Sequence, residues 1–298
     1  MNPENHITIT GATGFIGTRL TSALTAAGAG FSNASVRPGS DLHLPPGNTL
    51  IHLAGIAHSL SPDEDLVYAS NRDLVVQVAE TARTMGYRQF VFLSSALVWG
   101  SRRDVVSLKT PEEPDTPYAR AKLAAEAELR KMDSPDFRVA ILRPPLIYGP
   151  GVKGNLAKLL QAVHRWPVCP LGIADNRRSL VNVDNVCGLI THLIDKQLSG
   201  TFCALDHPPV SSLEILQQMA AWMPRHARML AMPAAGKKVL ARLAPGIATR
   251  LSGSFVIEDD SAALARYTPI TSMDHGFDLM VAHYLTMKTG THDSHSRT

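Results

Sequence analysis

The sequence predicts an α/β fold, a doubly wound parallel sheet with a smaller C-terminal lobe. Three observations lead there. Strand-like and helix-like segments alternate from residue 6 to residue 142, a glycine-rich turn joins the first strand to the first helix, and the third strand is apolar for most of its length. Such alternation puts helices on both faces of one parallel sheet. A strand covered on both faces loses the polar–apolar alternation of a half-exposed one.

Each element follows from local pattern. Ile7 and Ile9 alternate with polar neighbours between His6 and Thr10, the turn is Gly11-Ala12-Thr13-Gly14-Phe15-Ile16-Gly17, and Leu20, Ala23, Leu24 and Ala27 recur at helical spacing up to Gly28. A second strand fits within Phe31 to Val36, and Thr49 to Gly55 is the third. Leu74, Val78, Ala82 and Met85 share one face of a helix over Asn71 to Met85. Gln89 to Ser95 reads as a strand, Pro117 to Met132 as an Ala-rich helix, and Phe137 to Leu142 as a strand. Beyond Arg143-Pro144-Pro145 the pattern predicts helices near 155–164, 184–196, 213–223 and 235–243, with strands near 179–183 and 201–205. The sheet domain is assigned to residues 1–148 with 179–206, the lobe to 149–178 with 207–289, and 290–298 to a disordered tail.

Composition narrows the function classes. The 298 residues are 45% hydrophobic, with 29 Lys and Arg against 26 Asp and Glu, a formal charge of +3. A chain of this size buries roughly 75% of its unfolded surface and needs no staples. With no Lys/Arg-rich run, the sequence shows no electrostatic footprint for nucleic acid or an acidic membrane. It has no run of about 18 apolar residues, and Met-Asn-Pro-Glu-Asn lacks the basic and apolar regions of a signal peptide, so a cytoplasmic location is expected. Cys169, Cys187 and Cys203 are odd in number and lack C-x-x-C spacing, so neither disulfides nor a metal site are expected.

The spacing Gly11, Gly14, Gly17 is a variant of the dinucleotide fingerprint. Absent side chains tighten the turn and let a pyrophosphate approach the helix N-terminus, where free N–H groups attract anions. The end of the second strand then selects the cofactor: an acid there bonds the ribose hydroxyls of NAD, whereas arginine meets the 2′-phosphate of NADP. Arg37 in Val36-Arg37-Pro38-Gly39-Ser40 favours NADP, with NAD as the alternative. Only about twenty residues separate Gly28 from Thr49, whereas a βαβ unit needs about thirty. One crossover helix and the outermost strand are therefore expected to be shortened or missing. A loop around Pro38 to Leu42, including Asp41, would wall the adenine pocket.

Tyr118 and Lys122, at i and i+4, share a helix face. The ammonium there is expected to favour a phenolate and lower a tyrosine pKa that starts near 10. Tyr-x-x-x-Lys is common by chance, and its weight comes from position, one segment after a strand ending in Ser94-Ser95. His52 reads as a core residue and His58 as a loop residue.

Together the glycine turn, Leu93 to Gly100, Tyr118 to Lys122, Leu142 to Pro150 and Arg178 to Val186 occur in the order seen in extended short-chain dehydrogenases/reductases with Rossmann sheets that act on nucleotide sugars. Within that superfamily the chain resembles the bacterial O-antigen branch that reduces UDP-linked 4-keto-6-deoxy-N-acetylhexosamines, on Pro170-Leu171-Gly172, Asn176 to Ser179 and Leu251 to Phe255. The resemblance implies that Tyr118 is the catalytic acid/base, Lys122 its partner and a binder of the nicotinamide ribose, and Ser95 the residue bonding the sugar O4. It implies cofactor contacts at Gly11, Thr13, Gly14, Phe15, Ile16, Gly17, Arg37, Asp41, Leu42, Leu53, Ala54, Gly55, Asn71, Ser94 and Pro145. Ala96, Asn155, Leu156 and Arg178 would meet substrate; a guanidinium at 178 also suits a diphosphate on its own chemistry. Trp99 stands where tyrosine is commonest, and Leu146 replaces an asparagine frequent in dehydratases and epimerases. The expectation is an NADP(H)-dependent reductase of a UDP-sugar, active as a homodimer through the helices at 71–85 and 117–132. The alternatives are an NAD-dependent 4-epimerase and a non-catalytic dinucleotide sensor.

Overall fold

The computed structural model describes residues 6–56, 63–101, 103–225, 227–243, 253–259 and 261–290. Six strands form one parallel sheet: β1 (Ile7–Thr10), β2 (Phe31–Ala34), β3 (Thr49–His52), β4 (Gln89–Leu93), β6 (Arg138–Leu142) and β10 (Gly200–Phe202), in the order β10-β6-β4-β3-β1-β2. Every pairing within it is parallel. Between β2 and β3 the chain forms no helix, so β2 is the edge strand, as the short spacing predicted.

Two apolar layers hold helices to the sheet. Ile9, Ile51, Val91 and Ala140 meet α1 (Phe15–Ala26) and α6 (Val183–Asp195) through Leu20, Leu24, Val186 and Ile190. On the opposite face Leu50, Phe90, Phe92 and Ile141 meet α3 (Leu74–Thr84) and α4 (Pro117–Met132) through Val75, Val78, Ala125 and Leu129. Burying each Val, Leu, Ile or Phe side chain among these contributes about 1.5–3 kcal/mol. The helix expected over 71–85 begins earlier, at α2 (Glu64–Tyr68), and runs into α3 through a π-helical turn, Ala69–Asp73.

A third cluster gathers Leu156 and Leu160 of α5 (Gly154–Arg165), Ile215 and Met219 of α7 (Ser212–Ala221), and Phe277 and Met280 of α10 (Met273–Gly290). The strand expected near 179–183 is β9 (Arg178–Asn182), which pairs with β7 (Leu146–Tyr148) and β11 (Asp206–Val210) instead of joining the large sheet. β8 (Val168–Gly172) pairs with β12 (Arg228–Ala231), which leads into α8 (Ala234–Leu243). A two-residue pair, β5 (Val105–Val106) with β13 (Val256–Ile257), and α9 (Ser261–Leu264) complete the elements among the described residues. Cys169, Cys187 and Cys203 are buried thiols, none in a disulfide. His58, Leu251, Ser252 and the tail 291–298 lie outside the described residues.

Candidate active site

The glycine turn is shaped by close backbone approaches. Gly11 has φ +73°, and a Cβ there would stand 2.6 Å from the Ala54 nitrogen, so the turn lies directly on the chain leaving β3. A Cβ on Gly17 would stand 2.2 Å from the Gly11 carbonyl oxygen, which lets α1 sit on the loop. Gly14 differs: a Cβ there would meet only the Gly11 oxygen, at 3.2 Å, and would otherwise fill open space in front of α1. Gly14 is also the helix N-cap and offers no side chain to the first-turn N–H groups. The result is an uncapped, exposed helix N-terminus that fits a phosphate. Thr13 and Gly14 are exposed, while Phe15 and Ile16 turn their side chains into the core and can offer a ligand only backbone.

Leu53, Ala54 and Gly55 follow β3 toward the same edge. A Cβ on Gly55 would come within 2.6 Å of Asn71 Oδ1 and 3.6 Å of Lys122 Nζ, so these three residues converge. Asn71 sits in the π-turn, a local widening that recurs at functional sites. Its Nδ2 donates to the carbonyls of Ile56 (3.0 Å) and Val67 (2.9 Å), which leaves Oδ1 buried and unpaired.

Tyr118 and Lys122 occupy the first two turns of α4, whose start is fixed by Thr116 accepting from the Ala119 N–H (3.2 Å) and by Pro117 in the first turn. Lys122 Nζ donates to the Leu93 carbonyl (2.9 Å), lies 4.6 Å from the Phe92 ring centroid and 5.8 Å from that of Tyr118. Ser95 N-caps the 3-10 turn Ala96–Trp99 at the end of β4, accepting from the Leu97 N–H. Its hydroxyl also lies near enough to Tyr118 to pull the pKa of that phenol down.

Electrostatics here differ from the expectation of a lowered tyrosine pKa. Burial pushes the Tyr118 phenol up to about 12, with only the Ser95 hydroxyl opposing it. Burial likewise pushes Lys122 down to about 7, against the pull of Glu126. The ammonium is turned to a backbone carbonyl, so desolvation outweighs its attraction for a phenolate. Tyr118 is therefore a neutral phenol near pH 7.

Glu126 and Arg143 escaped the sequence reading. Glu126, one turn beyond Lys122, accepts from Ser94 Oγ (2.5 Å), Arg130 (2.6 Å) and Arg143 (2.7 Å), and Arg143 also reaches Glu112 (2.7 Å) and lies 4.7 Å from the Trp99 ring. The signal was an acid at i+4 from the lysine and an arginine leaving a buried strand. His52 is a core residue as expected: its Nδ1 meets Thr10 Oγ1 at 3.0 Å, and burial, aided by Lys122, pushes it down to about 3.

The remaining candidates spread outward. Arg37, three residues past β2, is exposed in a turn in which Ser40 donates to its carbonyl, with Asp41 exposed and Leu42 packed against the second apolar layer. The Ala96 N–H donates to the Pro144 carbonyl (3.0 Å), which brings Pro145 close to the 3-10 turn. Asn155 is exposed at the start of α5, but Leu156 is buried in the third cluster. The Leu156 side chain serves the packing face of α5, so a substrate contact at this residue would be made by its backbone. Arg178 opens β9, where burial lowers its pKa.

A family model described as "NAD dependent epimerase/dehydratase family" matches residues 45–202. The chain belongs to that family. The epimerase/dehydratase relatives include the UDP-glucose 4-epimerase of Vibrio cholerae, 30% identical over 91% of this chain and 93% of its own length. Among solved structures, the UDP-glucuronic acid 4-epimerase of Bacillus cereus in complex with NAD superposes with a TM-score of 0.76 at 17% identity, covering 96% of this chain and 98% of that one. A human epimerase family protein with NADPH gives 0.76 at 17% identity, covering 93% and 99%. The family fold is thus shared along nearly the whole chain.

Proposed function

We propose that this epimerase/dehydratase-family protein is a reductase of a UDP-activated 4-keto sugar, with residues 149–178 and 207–289 holding the substrate over the sheet edge. The observation that carries the reading is the cluster at the end of β4, where the Ser95 hydroxyl meets Tyr118 and Lys122 stands beside them. The open ground at Gly14 and the uncapped start of α1 fit a dinucleotide pyrophosphate.

A reduced nicotinamide dinucleotide supplies the hydride when bound. This chain's residues manage the proton and the geometry. Ser95 holds the carbonyl oxygen, Tyr118 gives its phenolic proton to that oxygen as the C–O π pair moves onto it, and the product is the alcohol. Lys122, titrating near neutrality, stabilises the tyrosinate left behind and Asn71 holds the chain beside it. Positioned acid catalysis of this kind contributes about 10²–10⁴-fold.

One observation favours a reductase over a 4-epimerase: β2 is an edge strand with no helix beyond it to enclose a retained cofactor. The epimerase reading draws its support from the Vibrio cholerae relative. Arg37 supports NADP over NAD. A stopped-flow assay with NADPH and a UDP-4-keto-6-deoxy-N-acetylhexosamine tests the reading: stoichiometric NADPH oxidation that Tyr118→Phe abolishes is expected. Interconversion of UDP-glucose and UDP-galactose on tightly retained NAD would replace it with the epimerase.

A further inference from the structure

The net charge of +3 conceals an uneven distribution. From Ile215 to Ile257 the chain carries six of its 29 cations and none of its 26 acids. In the described part of that stretch Arg225, Arg228, Lys238 and Arg242 are exposed, while Lys237 is paired with Asp175. Large apolar side chains stand exposed among them. β8 and β12 set Val168 beside Arg228 and Cys169 beside Met229, so Val168, Arg228 and Leu230 share the outer face and the sulfur-bearing pair the inner one. On α8, Lys238, Val239 and Arg242 form one exposed face. Two of the three tryptophans, Trp166 and Trp222, are 44% and 38% exposed.

A cavity of about 530 Å³ opens between the ends of α5 and α7 and the last turns of α10, lined by His164, Arg165, Met223, Arg225, Tyr284 and Lys288. Among the described residues no carboxylate lines it. Trp166 and Trp222 are each one residue along the chain from a residue that lines the cavity, Arg165 and Met223. The cavity shares no residue with the cluster around Tyr118.

We infer that this face docks on an anionic phospholipid surface, with the cationic cavity receiving a headgroup phosphate. Cations interleaved with indoles and aliphatic side chains match the boundary between charged headgroups and hydrocarbon. Charge decides against a second copy of this chain, because a symmetric contact would set cations against cations. A nucleic acid would satisfy the charge and offer nothing to Val168, Leu230 and Val239. No helix among the described residues is long and apolar enough to cross a membrane, so the association is peripheral.

Co-sedimentation of the full chain with phosphatidylcholine vesicles, and with vesicles in which about a third of the lipid is phosphatidylglycerol, tests this. Binding is expected only to the anionic vesicles and is expected to disappear near 0.5 M salt, where screening shortens to roughly 4 Å. At roughly fivefold per cation, R225E/R228E should weaken partition by at least about tenfold with NADPH affinity unchanged. K238E/R242E on α8 gives a second, independent variant should the first fail to fold, and Trp222→Ser should weaken partition several-fold. Absence of binding to both vesicles, equal binding to neutral vesicles, or tighter binding to duplex DNA would overturn the inference. So would binding of inorganic phosphate without vesicle binding, which would make the cavity a simple anion site.

Discussion

Arg143 and Glu126 face each other in the interior, 1% and 0% exposed, with Nη2 of the arginine 2.7 Å from Oε2 of the glutamate and Nε 3.1 Å from Oε1. Ser94 and Arg130 fill the remaining acceptor capacity of the carboxylate, and Glu112 takes a second arginine proton. The pair joins the end of β6 to the middle of α4 and thereby sets the height of that helix over β4. Removing one member strands a buried charge, which costs about 3–5 kcal/mol. Arg143→Met should lose stability on that scale in urea unfolding, while Arg143→Met combined with Glu126→Leu should recover much of the loss. A single variant within about 0.5 kcal/mol of the parent would show that the pair is not a structural tie.

Lys122 carries a stability cost with a defined pH window. Its pKa is about 7 in the fold, against roughly 10.5 for an unfolded lysine. Between those values the unfolded chain holds a proton that the folded chain lacks, so stability rises with pH across about 7 to 10.5. The cost is full below pH 7 and gone above about 10.5. Lys122→Met should therefore be more stable than the parent at pH 6, by an amount that shrinks toward pH 10, and should lose turnover at every pH. Parallel denaturant curves at the two pH values check the sign.

Gly14 separates ligand binding from folding. At φ −76° and with only the Gly11 oxygen near its Cβ position, alanine fits the backbone there. Gly14→Ala should change stability by less than about 1 kcal/mol, yet weaken NADPH by roughly tenfold or more because the methyl occupies the space in front of the helix dipole. Fluorescence titration against the melting temperature reads both. Unchanged affinity would move the phosphate site elsewhere.

Arg37 tests the cofactor choice. A charge-assisted bond to a 2′-phosphate contributes about 1.5–3 kcal/mol, so Arg37→Ala should raise the Kd for NADPH roughly 10- to 100-fold and leave NADH nearly unaffected. Equal losses would assign Arg37 to some other contact.

Much of this was legible in the sequence because it is local. Pro117 after Thr116, the spacing of Leu74, Val78 and Ala82, and the twenty residues between Gly28 and Thr49 each constrain a short segment, and each produced the element expected. The candidate acid and its lysine were legible for the same reason, being one helical turn apart. Other features depend on partners distant in sequence. Glu126 meets Arg143 seventeen residues away, and β9 leaves the large sheet because β7 and β11 take it. The state of Tyr118 is set by how much water its surroundings exclude, which no spacing records. The burial of Leu156 follows from the packing face of α5, which a family position alone does not record. The acid-free stretch is visible in the letters and was hidden by averaging charge over the whole chain.

The lost crossover beyond β2 also bears on how copies of the molecule meet. An edge strand presents unpaired N–H and C=O groups that invite another chain to add to the sheet. Here that edge is four residues long, Phe31–Ala34, with Asn33 exposed, and the chain leaves it within three residues for Pro38. So brief a template, ended by a residue that cannot donate, leaves little for an intruding strand to hold. The same short connection that leaves β2 at the margin thus guards this edge of the sheet against edge-to-edge fibre growth.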